Sequence, residues 1–372
     1  MEEVDATRPD AAASLPVAPD AAPTTPPAPK RSRRLAFDLT ALAVVGILLV
    51  GALGATGAVL YQNLYSPSAF VVRYLDLLTQ GRAADALAQA GASVDSATLA
   101  KAGLPTDASE ALLRRTALAP LSDVTVLGEQ EHDGVVDVTV SYTAGGYPGT
   151  STFRIERAGW IGVAPTWRFA QSPLAIIDLT VRGATQFTVN GFEVDTRQVS
   201  PDQLDADPLE PVALLVFSPG LYSISVDTAI STSAGVAVLS DTPLADIPVD
   251  LQTQPTEQFT AVVQEQVESF LTTCATQQVL QPTGCPFGLE VRNRIVGPPV
   301  WSIAQQPTIT LDPDGAQWTI QRTQAVAHIV VDIQSIYDGS IRHVDEDVPF
   351  SVGGSVTILP DGTASIVVSD GG

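Results

Sequence analysis

Residues 186–195 read Gln186-Phe187-Thr188-Val189-Asn190-Gly191-Phe192-Glu193-Val194-Asp195. Two alternating segments meet at Asn-Gly, the dipeptide that most readily takes the positive backbone angles of a tight hairpin turn, so this stretch is a β-hairpin. It sits in a region without helical periodicity. Beyond Ser218-Pro219-Gly220, the residues Tyr222, Ile224 and Val226 alternate with Ser223, Ser225 and Asp227. Residues 174–254 are therefore expected to form a small all-β sandwich.

Working outward, the flanks share one order of elements, helix first and antiparallel sheet second. On the N-terminal side Ser68 is the expected cap of a helix whose apolar positions are Phe70, Val71, Tyr74, Leu75 and Leu78, ending at Gly81. Short helices are expected at residues 82–90 and 109–117. The period then becomes two, with strands around Val124, Val136 to Val140 and Phe153 to Ile155, turns at Asp133-Gly134 and Ala144-Gly145-Gly146, and a closing strand with Trp167 and Phe169. Residues 62–173 read as an α+β module.

On the C-terminal side Thr256 caps a helix with Phe259, Val262, Val263, Val267, Phe270, Leu271 and Cys274 on one face. Strands are expected at residues 308–311, 318–333, 355–359 and 365–368. Their turns are expected at Asp312-Pro313-Asp314-Gly315 and Pro360-Asp361-Gly362. Residues 255–372 thus read as a second α+β module.

Ahead of these modules the 23 residues from Leu39 to Tyr61 carry no charge, enough helix to cross about 30 Å of hydrocarbon. Residues 35–61 are therefore expected to be a transmembrane helix. Lys30, Arg31, Arg33 and Arg34 precede it, which predicts an N-terminus in the cytoplasm and a C-terminal ectodomain outside the plasma membrane. Gly51 with Ala55 and Gly54 with Ala58 are small pairs through which two copies could approach. Residues 1–34, with seven prolines, eight alanines and balanced charge, are expected to be a disordered tail.

The chain has 372 residues, 41 acidic against 19 basic, and 45% are hydrophobic. That apolar content excludes wholesale disorder, and a net charge of -22 argues against binding nucleic acid, which needs a basic face. Cys274 and Cys285 are the only cysteines, with Pro282, Gly284 and Pro286 beside them. On the exported side of a membrane they are expected to pair. Arginine outnumbers lysine 17 to 2 in a chain rich in Ala, Gly, Pro and Val, a bias associated with high-GC bacteria such as actinobacteria.

Residues 70–91, FVVRYLDLLTQGRAADALAQAG, are similar to the opening helices of the nuclear-transport-factor-2-like, or cystatin-like, cone fold. The middle region resembles PEGA-type, Ig-like modules at Val189-Asn190-Gly191 and Pro219-Gly220-Leu221-Tyr222. An anchor followed by cone, Ig-like and cone modules resembles TcaA-type bacterial envelope proteins in layout. That resemblance implies a single-pass envelope protein linked to cell-wall stress, and the N-terminal zinc ribbon of that type has no counterpart here.

Recognisable chemistry is sparse. His132, His328 and His343 stand in no metal-binding spacing. His328 and Asp332 alternate with Val330 on a strand and offer a metal or acid/base pair, although a strand-face histidine beside a carboxylate is more often just solvated or hydrogen-bonded. The run His343-Val344-Asp345-Glu346-Asp347 offers oxygen ligands for calcium and reads more simply as a solvated acidic loop. Asp312 and Asp314 resemble part of a calcium loop that lacks its distal Glu. No nucleophile elbow, phosphate loop or dinucleotide fingerprint occurs, so no catalytic residue, cofactor or metal is assigned. Tyr142, Phe153, Trp160, Trp167 and Phe169 either line a cone pocket or form its core.

These features predict a non-catalytic, membrane-anchored binding or scaffolding protein of the cell envelope, partnered by a wall component or an envelope protein. The alternative is a ligand-binding or hydrolytic enzyme using a cavity in one of the cone-like modules.

Overall fold

The structure, a computed structural model, describes residues 32–162, 164–207, 209–359 and 363–369. Contacts divide the chain into two compact units, Met1–Leu60 and Tyr61–Gly372. The expected tail lies largely outside the described residues, and its last three positions belong instead to helix α1, Ser32–Tyr65. The side chains of α1 are described for residues 37–51 and 64–65. Among the described residues no helix is long and apolar enough to cross a membrane. The expected span, and with it single-pass anchoring in the plasma membrane, is not supported. The small-residue pairs reach into side chains outside the described set.

The balance of elements also differs from expectation: 46% of the structure is strand and 22% helix, a mostly β protein rather than two helix-plus-sheet modules around a sandwich. Long ribbons account for this, because single strands run to 18 residues while most helices stop within a few turns.

In the first part Ser66, not Ser68, caps helix α2 (Pro67–Thr79), accepting from Ala69 N at 3.0 Å, with Pro67 preset for the first turn. Helix α3 is only Ala83–Leu87, and α4 (Ser96–Ala102), absent from the expectations, is capped by Asp95 and closed by Gly103 at φ +73°. The helix expected at residues 109–117 is a single 3-10 turn at Arg115–Ala117. Ser109 instead bonds to Ala213 and Leu215 on an open strand edge. Strands β1 (Leu121–His132), β2 (Val135–Ala144), β3 (Tyr147–Ile161) and β4 (Ala164–Phe169) form an antiparallel meander in that order. Turns fall at Asp133-Gly134 and Gly145-Gly146.

The middle part stacks two sheets. One has β12 (Asp246–Gln252), β5 (Leu174–Arg182) and β8 (Val212–Phe217) side by side. The other has β11 (Val236–Ser240), β9 (Gly220–Ser225), β6 (Gln186–Val189) and β7 (Phe192–Asp195). Asn190 and Gly191 adopt φ +51° and +82°, the backbone that an Asn-Gly hairpin requires. The Asn190 side chain donates to Ala117 O and Leu221 O, each at 2.8 Å, so the turn is also a clamp. Strand β5 is buried on both faces. Ala175, Ile177, Leu179 and Val181 enter the sandwich core, while Leu174 and Ile176 join the core beneath α2 and the meander. A short helix, α5 (Thr196–Val199), and the two-residue strands β10 (Ser231–Thr232) and β13 (Gln254–Pro255) complete this part.

Helix α6 (Glu257–Ala275) opens the last part, with Thr256 accepting from Phe259 N at 3.1 Å. Phe259, Val263, Val267, Leu271 and Cys274 are buried, whereas Val262 is 47% exposed and faces away. The sheet against it contains β14 (Arg294–Ile295), β15 (Val300–Gln305), β16 (Leu311–Asp314), β17 (Gln317–Gln334), β18 (Ile341–Ile358) and β19 (Ala364–Ser369). Strand β18 replaces the expected acidic loop and begins 14 residues before the predicted strand at 355. Asp312 to Asp314 lie within β16, so the hairpin turns at Gly315-Ala316, two positions later than expected. The turn expected at residues 360–362 lies outside the described residues.

Cys274 and Cys285 form a disulfide, S–S 2.06 Å, tying the end of α6 to the irregular segment that follows. That segment is anchored by Phe287, whose ring lies 5.1 Å from Trp301 and 5.2 Å from Phe350.

Candidate functional site

Side chains with chemistry converge on one face of the β17–β18 ribbon. Along β17 the odd positions Ala325, Ala327, Ile329, Val331 and Ile333 are buried against α6 and its neighbours, which turns His328, Val330 and Asp332 outward. Antiparallel register then sets His328 opposite Asp347, Val330 opposite Asp345 and Asp332 opposite His343. The result is a cross-strand ladder. His328 Nδ1 lies 2.9 Å from Asp347 Oδ1, its Nε2 lies 3.1 Å from Asp345 Oδ1, and His343 Nδ1 lies 2.7 Å from Asp332 Oδ1. Because both nitrogens of His328 face carboxylate oxygens, only the doubly protonated ring donates to both at once.

The pair expected from sequence, His328 with Asp332, is not made. Four residues along a strand separate two side chains by about 13 Å, so each turns to its cross-strand neighbour instead. The third histidine, His132, ends β1 on the exposed edge of the meander, in a different sheet from this ladder. Among the described residues no group of three or more His, Cys, Asp or Glu side chains is arranged to hold a metal ion. Asp345 and Asp347 are 59% and 65% exposed and pair with His328, so the run read as a solvated acidic loop is a strand. Asp312 and Asp314 accept from Gln321 and Thr319 on the facing strand.

At its tip the ribbon carries Ile336 (67% exposed), Tyr337 (93%) and Ile341 (60%). The loop beneath them is held in one shape: Ser335 N donates to Ser340 O at 2.8 Å, Gly339 N to Ser335 O at 3.1 Å, and Ser340 Oγ to Asp338 Oδ1 at 2.8 Å. Hydrogen bonds from Ser340 and then Ser335 hold the Asp338 carboxyl below its ordinary range. An ordered loop that displays apolar side chains has already lost the entropy that docking would otherwise remove.

The aromatic residues of the first part divide. Tyr142, Phe153 and Phe169 are core, at most 4% exposed, and Tyr74 meets the Phe153 and Phe169 rings edge-on at 6.1 and 5.1 Å. Trp160 is 57% exposed with Arg157 stacked on it at 5.1 Å, and Trp167 donates to Tyr65 O at 2.7 Å. Tyr142, Phe153 and Phe169 fill the meander and Trp160 coats it, while Trp167 lines a cavity of about 390 Å³ together with Phe70, Arg73 and Ile161.

A cavity of about 320 Å³ that sequence reasoning missed opens beside β5 and β8, lined in part by Asp178, Arg197, Asp207 and Glu210. Burial, and then the charge of Asp246, pushes the Asp178 carboxyl above its ordinary range. Arg197 closes one side through a 2.6 Å ion pair with Asp195. The sequence signal was the single acid interrupting Leu-Ala-Ile-Ile-Asp-Leu-Thr-Val.

No family model, curated protein or solved structure matches the chain.

Proposed function

We propose that this chain is a non-catalytic binding or scaffolding protein that engages its partner through an open sheet face. One observation carries the reading: the His328, Asp345, Asp347, Asp332 and His343 ladder stands on exposed sheet, not in a cavity. Exposed, pre-ordered side chains suit recognition, whereas acid/base catalysis draws its strength from groups shielded from water. The buried aromatic core of the meander also gives no support to a reaction chamber there.

With a net charge of -22, the partner favoured is a basic protein. The disulfide suits an oxidising compartment. The test is photo-cross-linking in the cells of origin, with a photoreactive residue at Tyr337 and, separately, at Tyr147 on the first meander. The reading expects a discrete adduct from position 337 that is absent from position 147. Adducts of equal yield at both positions, or none, would overturn it.

A further inference from the structure

We propose that the outer edge of β18, residues 341–348, accepts an extended basic segment of a partner protein as an added antiparallel or parallel strand. This rests on the binding reading above and specifies its surface.

Strand β17 pairs with one side of β18 throughout, but β19 covers the other side only from Gly353 to Ile358. Among the described residues no strand pairs with the outer side of residues 341–352. Alternate backbone N–H and C=O groups there have no ladder partner, which makes the edge a template for another strand. The edge is also regular. From Thr323↔Val352 to Gln334↔Ile341 the β17–β18 register has no shift, whereas edge strand β1 is broken by two irregularities. Pro349, which lacks an N–H, limits the usable stretch to the eight residues before it, about 27 Å of strand.

Charge decides what can add. Residues Asp345, Glu346 and Asp347 are consecutive and exposed. A second copy pairing antiparallel about Glu346 would set Asp345 against Asp347, and parallel pairing in register would set each acid against itself. Like charges directly opposite destabilise a strand pair, so self-association through this edge is disfavoured. Lysine or arginine on the incoming strand reverses the sign. His328 holds Asp345 and Asp347 in place from the neighbouring strand, so a cation adding beside them meets carboxylates that are already oriented. Ile336, Tyr337 and Ile341 at the tip offer an apolar stop for one end of the segment.

The experiment uses the full chain and a fluorescent, acetylated ten-residue peptide of alternating Lys and Val, read by anisotropy in about 0.15 M salt, where weak surface attraction is screened. A second peptide of the same sequence is N-methylated at alternate residues, which keeps its charge and removes its ladder donors. The proposal expects at least tenfold weaker binding of the methylated peptide, and about tenfold weaker binding of the parent peptide to the Asp345→Asn, Asp347→Asn double variant. New amide protection should appear within residues 341–348 of the wild-type chain.

Equal binding of the two peptides would reduce the attraction to charge alone and overturn the added strand, as would absence of binding. If the peptide fails while position 337 still yields its specific adduct, the edge assignment falls and the binding reading stands. If the peptide pattern holds while cross-linking yields nothing, the edge stands and the reading of its cellular role falls.

Discussion

Removing the disulfide by the double substitution Cys274→Ala, Cys285→Ala should lower stability by an amount the geometry sets. The bridge spans 11 positions. In the chain-entropy model, −2.1 − 1.5R ln n for n near 11 gives about 9 cal/mol/K, or about 2.8 kcal/mol at 25 °C. Packing partly sustains the loop without the bridge, because Phe287 stays against Trp301 and Phe350 and Trp301 Nε1 donates to Val279 O at 2.8 Å. The whole fold is therefore expected to survive with a lower Tm. Residues 61–372 form one compact unit of 312 residues, for which about 2.1 cal/mol/K per residue gives an unfolding entropy near 0.66 kcal/mol/K. Dividing gives a fall of about 4 °C. If residues 255–372 melted by themselves, the same 2.8 kcal/mol would be divided by about 0.25 kcal/mol/K, a fall near 11 °C. Differential scanning calorimetry of the wild type, the double variant and the reduced wild type measures this directly. An unchanged Tm would refute the loop-closure reasoning, and an 11 °C fall would refute cooperative melting of the compact unit.

Three further outcomes follow from particular contacts. Phe153→Ala, at a position 1% exposed between Tyr74 and Phe169, should cost about 3–5 kcal/mol in urea unfolding, while Trp160→Ala, on the surface, should cost less than about 1 kcal/mol. Similar losses from both would contradict the division of core from coat. Thr256→Ala removes an acceptor for Phe259 N and a donor to Ala229 O at 2.7 Å, so it should cost about 1–2 kcal/mol, with Thr256→Ser recovering most of it. The Asp178 carboxyl has a raised folded-state pKa, so its ionised form penalises folding above that pKa and the penalty vanishes as pH falls below the unfolded value. Asp178→Asn should accordingly raise Tm at pH 7 and leave it unchanged near pH 3, and a stabilisation that persists at pH 3 would contradict burial as the cause.

Local chemistry was legible in the residues themselves. Asn190-Gly191 dictated its hairpin because few other dipeptides adopt two positive φ angles cheaply. Thr256 and the apolar face behind it fixed the start of α6, and two cysteines in a short Pro/Gly-rich loop found each other. What escaped was decided by distant partners. The run from His343 to Val348 is depleted in good strand formers, yet Val344 points into the core and the acids between stand beside His328 on the neighbouring strand. Strand β12, with Pro248 in its middle, exists through parallel pairing to β5, a contact some 70 residues away that no local period announces. Asp95 and Gly103 did mark α4 as cap and stop, a local signal that was available. The converse error came from the apolar run at Leu39, which set an expectation of a span that the described helix does not meet. Of the candidate site, the sequence placed His328 and Asp332 on one face but could not show that the opposite strand would supply their partners.

Hydrogen exchange on the full chain without any ligand tests the central claim most directly, since binding through an open edge requires that the edge be open. In residues 341–348 the amides bonded to β17 should be protected, and those alternating with them should exchange at nearly the rate of an unstructured chain. Uniform protection across these eight residues would mean that the edge is already covered, and the proposed docking surface would not exist.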